Sequence, residues 1–284
     1  MMDALLAPFT YGFMLQAMAV GTVVAVACAL ISCFIVLKGW SLLGDAISHA
    51  VLPGVVLASA AGVSLGLGAF VAGMACALGS GFIQSHSRLK EDAALGIVFT
   101  GMFAAGLVLM AFVTTEQHVS HILFGNILGI ERDDLIQALV AGAAVLAVLA
   151  LKGRDLVLFC FDAAHARGIG LNTAALRYLF LALLSGAGVA GVQAVGVILV
   201  VALLITPGTI GHLLADRFGR MSAIAVAAAV VATIGGIVAS FHLGASTAGC
   251  IVVLLSILFA VALVFAPQHG LLAARRGRRA GAAG

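Results

Sequence analysis

The sequence predicts an all-α, polytopic transmembrane helical bundle of about nine spans, with the N-terminus outside and the C-terminus in the cytoplasm. Three observations predict it. Hydrophobic residues make up 63% of the 284 positions and charged residues only 9%, against about 25% charged in soluble domains, and the mean hydropathy is +1.25. The apolar residues gather in runs long enough to cross a bilayer, at about 20 residues per crossing. The basic residues gather between alternate runs.

In order, the runs lie near 12–37, 43–60, 65–83, 93–113, 135–151, 174–193, 195–214, 221–240 and 248–266. The first has no basic region before it and is too long for a signal-peptide core, so it reads as a retained span. The sixth and seventh runs follow each other from Arg177 to His212 with no charged residue, and only Gly191-Val-Gln-Ala-Val-Gly196 marks a break. Pro53 and Pro207 fall inside runs, where membrane helices tolerate proline and often kink. All of residues 1–284 are read as one transmembrane domain, with a cytoplasmic segment at 152–171 and a basic tail at 268–284.

The positive-inside rule tests this topology independently. With the N-terminus outside, Lys38, Arg88, Lys90, Lys152, Arg154, Arg167, Arg177, Arg217, Arg220, Arg275, Arg276, Arg278 and Arg279 all fall inside, which is thirteen of the fourteen basic residues. Only Arg132 falls outside, among Glu131, Asp133 and Asp134. The net charge of +3 therefore reports topology and gives no support to a nucleic-acid partner. Cys28, Cys33, Cys76, Cys160 and Cys250 contain no CxxC pair, are odd in number and lie mostly in apolar runs, which suits packing residues.

Asp45 and His49 stand out against this background. Four residues is one helical turn, so both side chains leave one face of a helix. An aspartate inside a bilayer costs about 2.5 to 3.5 kcal/mol on insertion scales, so it is expected to face a cavity, a partner or an ion. With Lys38 to Trp40 at the inner interface, a rise of 1.5 Å per residue puts Asp45 about 8 Å and His49 about 14 Å into a core about 30 Å thick. Pro53 removes the hydrogen bond that the His49 carbonyl would accept, leaving a possible third oxygen ligand. Carboxylate plus imidazole suits Mn²⁺, Fe²⁺ or Zn²⁺. A hydrogen-bonded pair that merely locks two helices together fits the spacing too.

Other candidates lie at the two surfaces. His242, in Ser240-Phe-His-Leu-Gly244, sits at the outer end of the eighth run as a ligand or part of an entrance. Glu116, His118 and His121 follow the fourth run and are placed to collect cations at the outer mouth. On the inner side, residues 152–171 read as a long loop in which Asp162 caps a short helix that ends at Gly168 or Gly170. A helix standing off the membrane is something a cytoplasmic partner can grip.

Gly44-Asp-Ala-Ile-Ser-His-Ala-Val-Leu-Pro-Gly54 resembles the signature of the membrane-spanning permease subunit of ABC importers for manganese, zinc and iron. Four more blocks follow in order: Lys90-Glu-Asp-Ala-Ala-Leu-Gly-Ile97, Leu123-Phe-Gly-Asn-Ile-Leu128, Phe161-Asp-Ala-Ala-His-Ala-Arg167 and Ala194-Val-Gly-Val-Ile-Leu-Val-Val-Ala-Leu-Leu-Ile-Thr-Pro207. The resemblance implies that Asp45 and His49 bind the transported cation. It also implies that Phe161, Asp162, Ala166, Arg167 and Gly170 couple to a separate ATP-binding subunit. The further partners it implies are a second permease copy or a related permease, and an extracytoplasmic metal-binding protein. The chain departs from the pattern at Gly244, where many relatives carry an acidic residue.

No permanent cofactor is expected, only transported Mn²⁺, Fe²⁺ or Zn²⁺, with manganese and iron favoured. Lys38, Lys90 and Lys152 are the only lysines and none sits in a phosphate-binding Gly-Lys-Ser/Thr loop, so the chain is read as a transport subunit and not as an enzyme. A gradient-driven secondary transporter is the alternative, and it too would place such residues at the midplane. It would have no use for a docking helix, and no inverted repeat is visible. An intramembrane metalloprotease would need a motif such as His-Glu-x-x-His, which the chain lacks.

Overall fold

A computed structural model describes residues 10–112, residue 129 and residues 132–266. The helices are α1 Gly12–Lys38, α2 Ser41–Ala50, α3 Leu52–Ala61, α4 Leu65–His86, α5 Glu91–Phe112, α6 Arg132–Phe161, α7 Ala163–Gly168, α8 Thr173–Val195, α9 Val197–Leu214, α10 Phe218–Leu243 and α11 Thr247–Phe265. Among the described residues nine segments are long and apolar enough to cross a membrane, with α2 and α3 together forming the second, Ser41–Ala61. Each overlaps one of the runs read from the sequence. The agreement has a physical source, since a chain in lipid must satisfy its backbone hydrogen bonds within each segment.

The bundle is built around α1, α2, α3 and α8, whose residues are mostly buried, while α5, α6 and α11 lie outermost. α9 and α10 pack along α1, α11 leans on α9 and α10, and α4 and α5 enclose the α2–α3 pair. Small residues let these helices approach closely, as van der Waals packing in lipid demands. The tightest approach joins α3 to α4, where a Cβ on Gly54 would lie 2.1 Å from the Gly68 carbonyl oxygen. The break expected near Gly196 is there: α8 ends and α9 begins at this residue, whose φ of 85° and ψ of 163° favour glycine.

One expectation fails. Residues 152–171 are not a loop throughout, because α6 runs 30 residues to Phe161 without interruption. Lys152 pairs with Asp155 at 3.2 Å one turn on, and Leu156, Phe159 and Cys160 continue the buried face at helical spacing. A hydropathy window ends at Lys152, yet a charged turn does not end a helix whose apolar stripe resumes beyond it. At 1.5 Å per residue α6 is about 45 Å long, more than the hydrocarbon core, so it extends past the bilayer. Only α7 stands apart as a short helix.

Candidate functional site

α2 is buried at Leu43, Gly44, Ala46, Ile47, Ser48 and Ala50, as expected for a helix held by α4, α5, α8 and α9. Asp45 and His49 form the gap in that burial, each with its side chain 35% exposed. Asp45 Oδ1 lies 3.4 Å from His49 Nε2, so the one-turn spacing does bring the two groups together. The His49 ring packs against α5, 6.2 Å from the Phe99 ring and 5.7 Å edge-on from Phe103. These aromatics wall one side of the imidazole and restrict its rotation. Their spacing is a sequence signal that hydropathy passes over: Phe99, Phe103 and Gly106 recur at i, i+4 and i+7, one face of α5.

Gly106 shows why α5 reaches the pair. A Cβ there would stand 2.9 Å from the Pro53 nitrogen, so α5 seats its glycine against the joint between α2 and α3. At that joint Val51 keeps helical angles, φ −63° and ψ −29°, and Pro53 occupies the first turn of α3, where a missing N–H costs nothing. The His49 carbonyl, expected to be free, accepts a hydrogen bond from the Val51 N–H instead. Ser48 Oγ is likewise engaged, donating to the Gly44 carbonyl at 2.8 Å.

Lys38 Nζ lies 4.5 Å from the centre of the Phe159 ring and 3.5 Å from its carbonyl oxygen. The end of α1 is therefore level with the last turn of α6, about 10 Å beyond Lys152 along that helix. The basic end of the bundle is thus a band about two turns thick.

His242 is exposed at the end of α10, beside Phe241, on a helix that packs on α1, α9 and α11. Among the described residues no three or more His, Cys, Asp or Glu side chains gather where a metal could be held, so the structure does not bring His242 to Asp45 and His49. Glu116, His118 and His121 lie outside the described residues, as do 123–128 and the tail 268–284.

At the basic end, Asp162 Oδ1 accepts hydrogen bonds from the N–H groups of Ala164 and His165, both at 2.9 Å. This is the capping arrangement read from the sequence. The His165 N–H bond, aided by that of Ala164 and by the charges of His165 and Arg167, holds the Asp162 carboxyl below its ordinary range. Ala166 is fully buried and anchors α7 to the bundle. Phe161 and Ile169 are exposed at 61% and 58%, and Arg167 is exposed beside them. Gly170, with φ 87°, turns the chain toward α8.

Residues 10–266 match the model of the ABC 3 transport family. The chain belongs to that family. It is 48% identical over 277 residues to the "Manganese transport system membrane protein MntB" of Synechocystis sp., covering 98% of this chain and 90% of the relative. It is 51% identical over 259 residues to the "Chelated iron transport system membrane protein YfeD" of Yersinia pestis, covering 91% and 87%. The fold is similar to the solved structure of PsaBC from Streptococcus pneumoniae in complex with Fab, with a TM-score of 0.86, 31% identity, and coverage of 95% and 98%. The protein is thus a multi-pass permease subunit of an ABC transporter of the bacterial inner membrane, with its fold and spans as expected.

Proposed function

We propose that this permease carries a divalent transition metal inward, manganese or iron in preference to zinc, through a site built on Asp45 and His49. One observation carries the reading: from Leu43 to Ala50, the residues of α2 that are not buried are the carboxylate and imidazole that stand together. A hard-to-borderline divalent cation meets a suitable donor pair there. The names of the relatives, which concern manganese and iron, support the cargo class.

Two side chains do not fill a coordination sphere. Water or a second permease copy supplies the remaining ligands, and the exposed strip of α2 leaves room for either. His242 and the outer-mouth residues Glu116, His118 and His121 belong to the route by which an extracytoplasmic binding protein hands over the ion. On the opposite face Phe161, Asp162, Ala166, Arg167 and Gly170 form the grip of the ATP-binding subunit. The N-terminus then lies outside and the basic C-terminus in the cytoplasm. Family membership favours this ATP-driven reading over a gradient-driven one.

The test is uptake of radioactive Mn²⁺ and Fe²⁺ by cells expressing the assembled transporter, with Asp45→Ala and His49→Ala checked for membrane insertion. Both variants should insert and lose uptake. Normal uptake in both would refute the site.

A further inference from the structure

We propose that the cleft between α4 and α8 at the basic end of the bundle is a binding site for an anionic phospholipid, phosphate group at the surface and acyl chain along the helices. The cleft has two adjoining parts, one that gathers basic side chains and one lined mainly by apolar ones. The outer part is a cavity of about 420 Å³ whose lining includes the cations Lys38, Arg167 and Arg177 together with Trp40, Thr173 and Tyr178. The inner part is a groove of about 400 Å³ whose lining includes Ala77, Leu78, Phe82 and Leu181. Arg177 and Tyr178 line both parts, so the two adjoin at one turn of α8.

Local geometry keeps the junction open. Gly81 faces Arg177 so closely that a Cβ there would lie 2.8 Å from a guanidinium nitrogen, so this glycine on α4 makes the room in which the arginine head lies. Among the described residues none of Lys38, Arg167 and Arg177 forms an ion pair with a carboxylate within 4.0 Å; the pairs found are Asp45 with His49 and Lys152 with Asp155. Lys38 stays over the Phe159 and Trp40 rings and bonds only to a backbone carbonyl. Asp162, which feels Arg167, has its carboxylate committed to capping α7.

Three cations lining one cavity, none paired with a carboxylate among the described residues, ask for an anion, and basic pockets between helices near an anionic leaflet suit lipid phosphates. The groove decides for a lipid over a free anion. Leu78 and Phe82 are 41% and 64% exposed on consecutive turns of α4, and Tyr178 is 55% exposed opposite. An acyl chain laid along them would cover apolar surface that a soluble phosphate leaves bare. The outer cavity also reaches Ala163 of α7, so a headgroup held there would brace the short helix against α8.

The experiment is lipid retention by the purified, assembled transporter, read by native mass spectrometry, with phosphatidylglycerol, phosphatidylcholine and inorganic phosphate as probes. Phosphatidylglycerol should be retained in preference to phosphatidylcholine, and inorganic phosphate should not displace it. Arg177→Gln should weaken retention about fivefold, the equivalent of about 1 kcal/mol for one basic group at an anionic surface, while Arg177→Lys keeps most of it. Melting in phosphatidylcholine serves as the folding control, and Lys38→Gln provides the second variant should Arg177→Gln lower it. Equal retention of both lipids, or retention unchanged in both variants, overturns the proposal. Displacement by inorganic phosphate alone would mean a free-anion site. Binding by the isolated permease that vanishes once the ATP-binding subunit is added would give the cleft to that protein.

Discussion

Two prolines divide this bundle into a sealed bend and an open one. Pro207 lies inside α9, where it deprives the Leu203 carbonyl of its helical partner and a proline costs about 3 kcal/mol. Ser32 of α1 repairs the neighbourhood, its Oγ accepting from the Gly208 N–H at 2.9 Å and donating to the Ile205 carbonyl at 3.1 Å. Thr209 Oγ1 bonds back to the Ile205 and Thr206 carbonyls. Gly208 lets α1 come so close that a Cβ there would lie 2.5 Å from Ser32 Oγ. Pro53, in contrast, starts a helix instead of interrupting one, and among the described residues no side-chain hydrogen bond bridges its joint from across the bundle. His49 and Asp45, one and two turns before it, are polar and about a third exposed, with the imidazole walled by aromatics. A proline in a membrane helix thus marks a site only when the polar groups beside it are left for something other than the protein.

The largest expected effect tests the open bend directly. Asp45→Asn should lower metal affinity by at least about 100-fold, since even outer-shell partners of a metal are worth about 10- to 100-fold. Equilibrium binding to the purified transporter measures it, and an unchanged affinity removes the distinction between the two bends. Gly106→Leu drives a side chain into the joint at Pro53 and pushes Phe99 and Phe103 away from His49. It should cost about 1 to 3 kcal/mol of stability and reduce uptake per folded molecule, seen in thermal melts and transport assays on the same preparation.

Ser32→Ala sharpens the comparison from the sealed side. It orphans the buried Gly208 N–H at a cost of about 1 to 3 kcal/mol, while uptake per folded molecule should persist. Loss of uptake at full stability would make the α9 bend functional as well. The smallest effect belongs to α7, where Asp162→Ala should loosen the helix through its lost cap with little change in overall stability. The wild-type Asp162 carboxyl is depressed in the folded state, so its stabilisation is complete above the unfolded value near pH 3.9 and fades as pH falls through the lower folded one. Hydrogen exchange at Ala164 and His165 across this range follows the fading, and the alanine variant should show no such dependence.

Much of this was legible in the sequence, for reasons that can be named. The spans follow from local hydropathy, because a bilayer fixes the length of an apolar helix and forbids unpaired backbone within it. The Asp45–His49 pairing follows from one helical turn, and the Asp162 cap from a side chain reaching the N–H groups two and three residues on. The extension of α6 to Phe161 was hidden, because Lys152 to Asp155 resembles a boundary until Leu156, Phe159 and Cys160 find a surface to bury. So was the fate of the His49 carbonyl, which depends on the backbone conformation between His49 and Val51.

By itself, then, the sequence determined which stretches are helices, where charge collects and which carboxylate and imidazole stand together, since each is settled within a few residues of chain. Only the tertiary structure decided which face of α2 stays open, that Phe99 and Phe103 flank His49, that Ser32 closes the bend at Pro207 and that Arg177 lies over Gly81. Those depend on approaches between distant helices. In lipid such approaches are set by the fit of small residues, which hydropathy does not record.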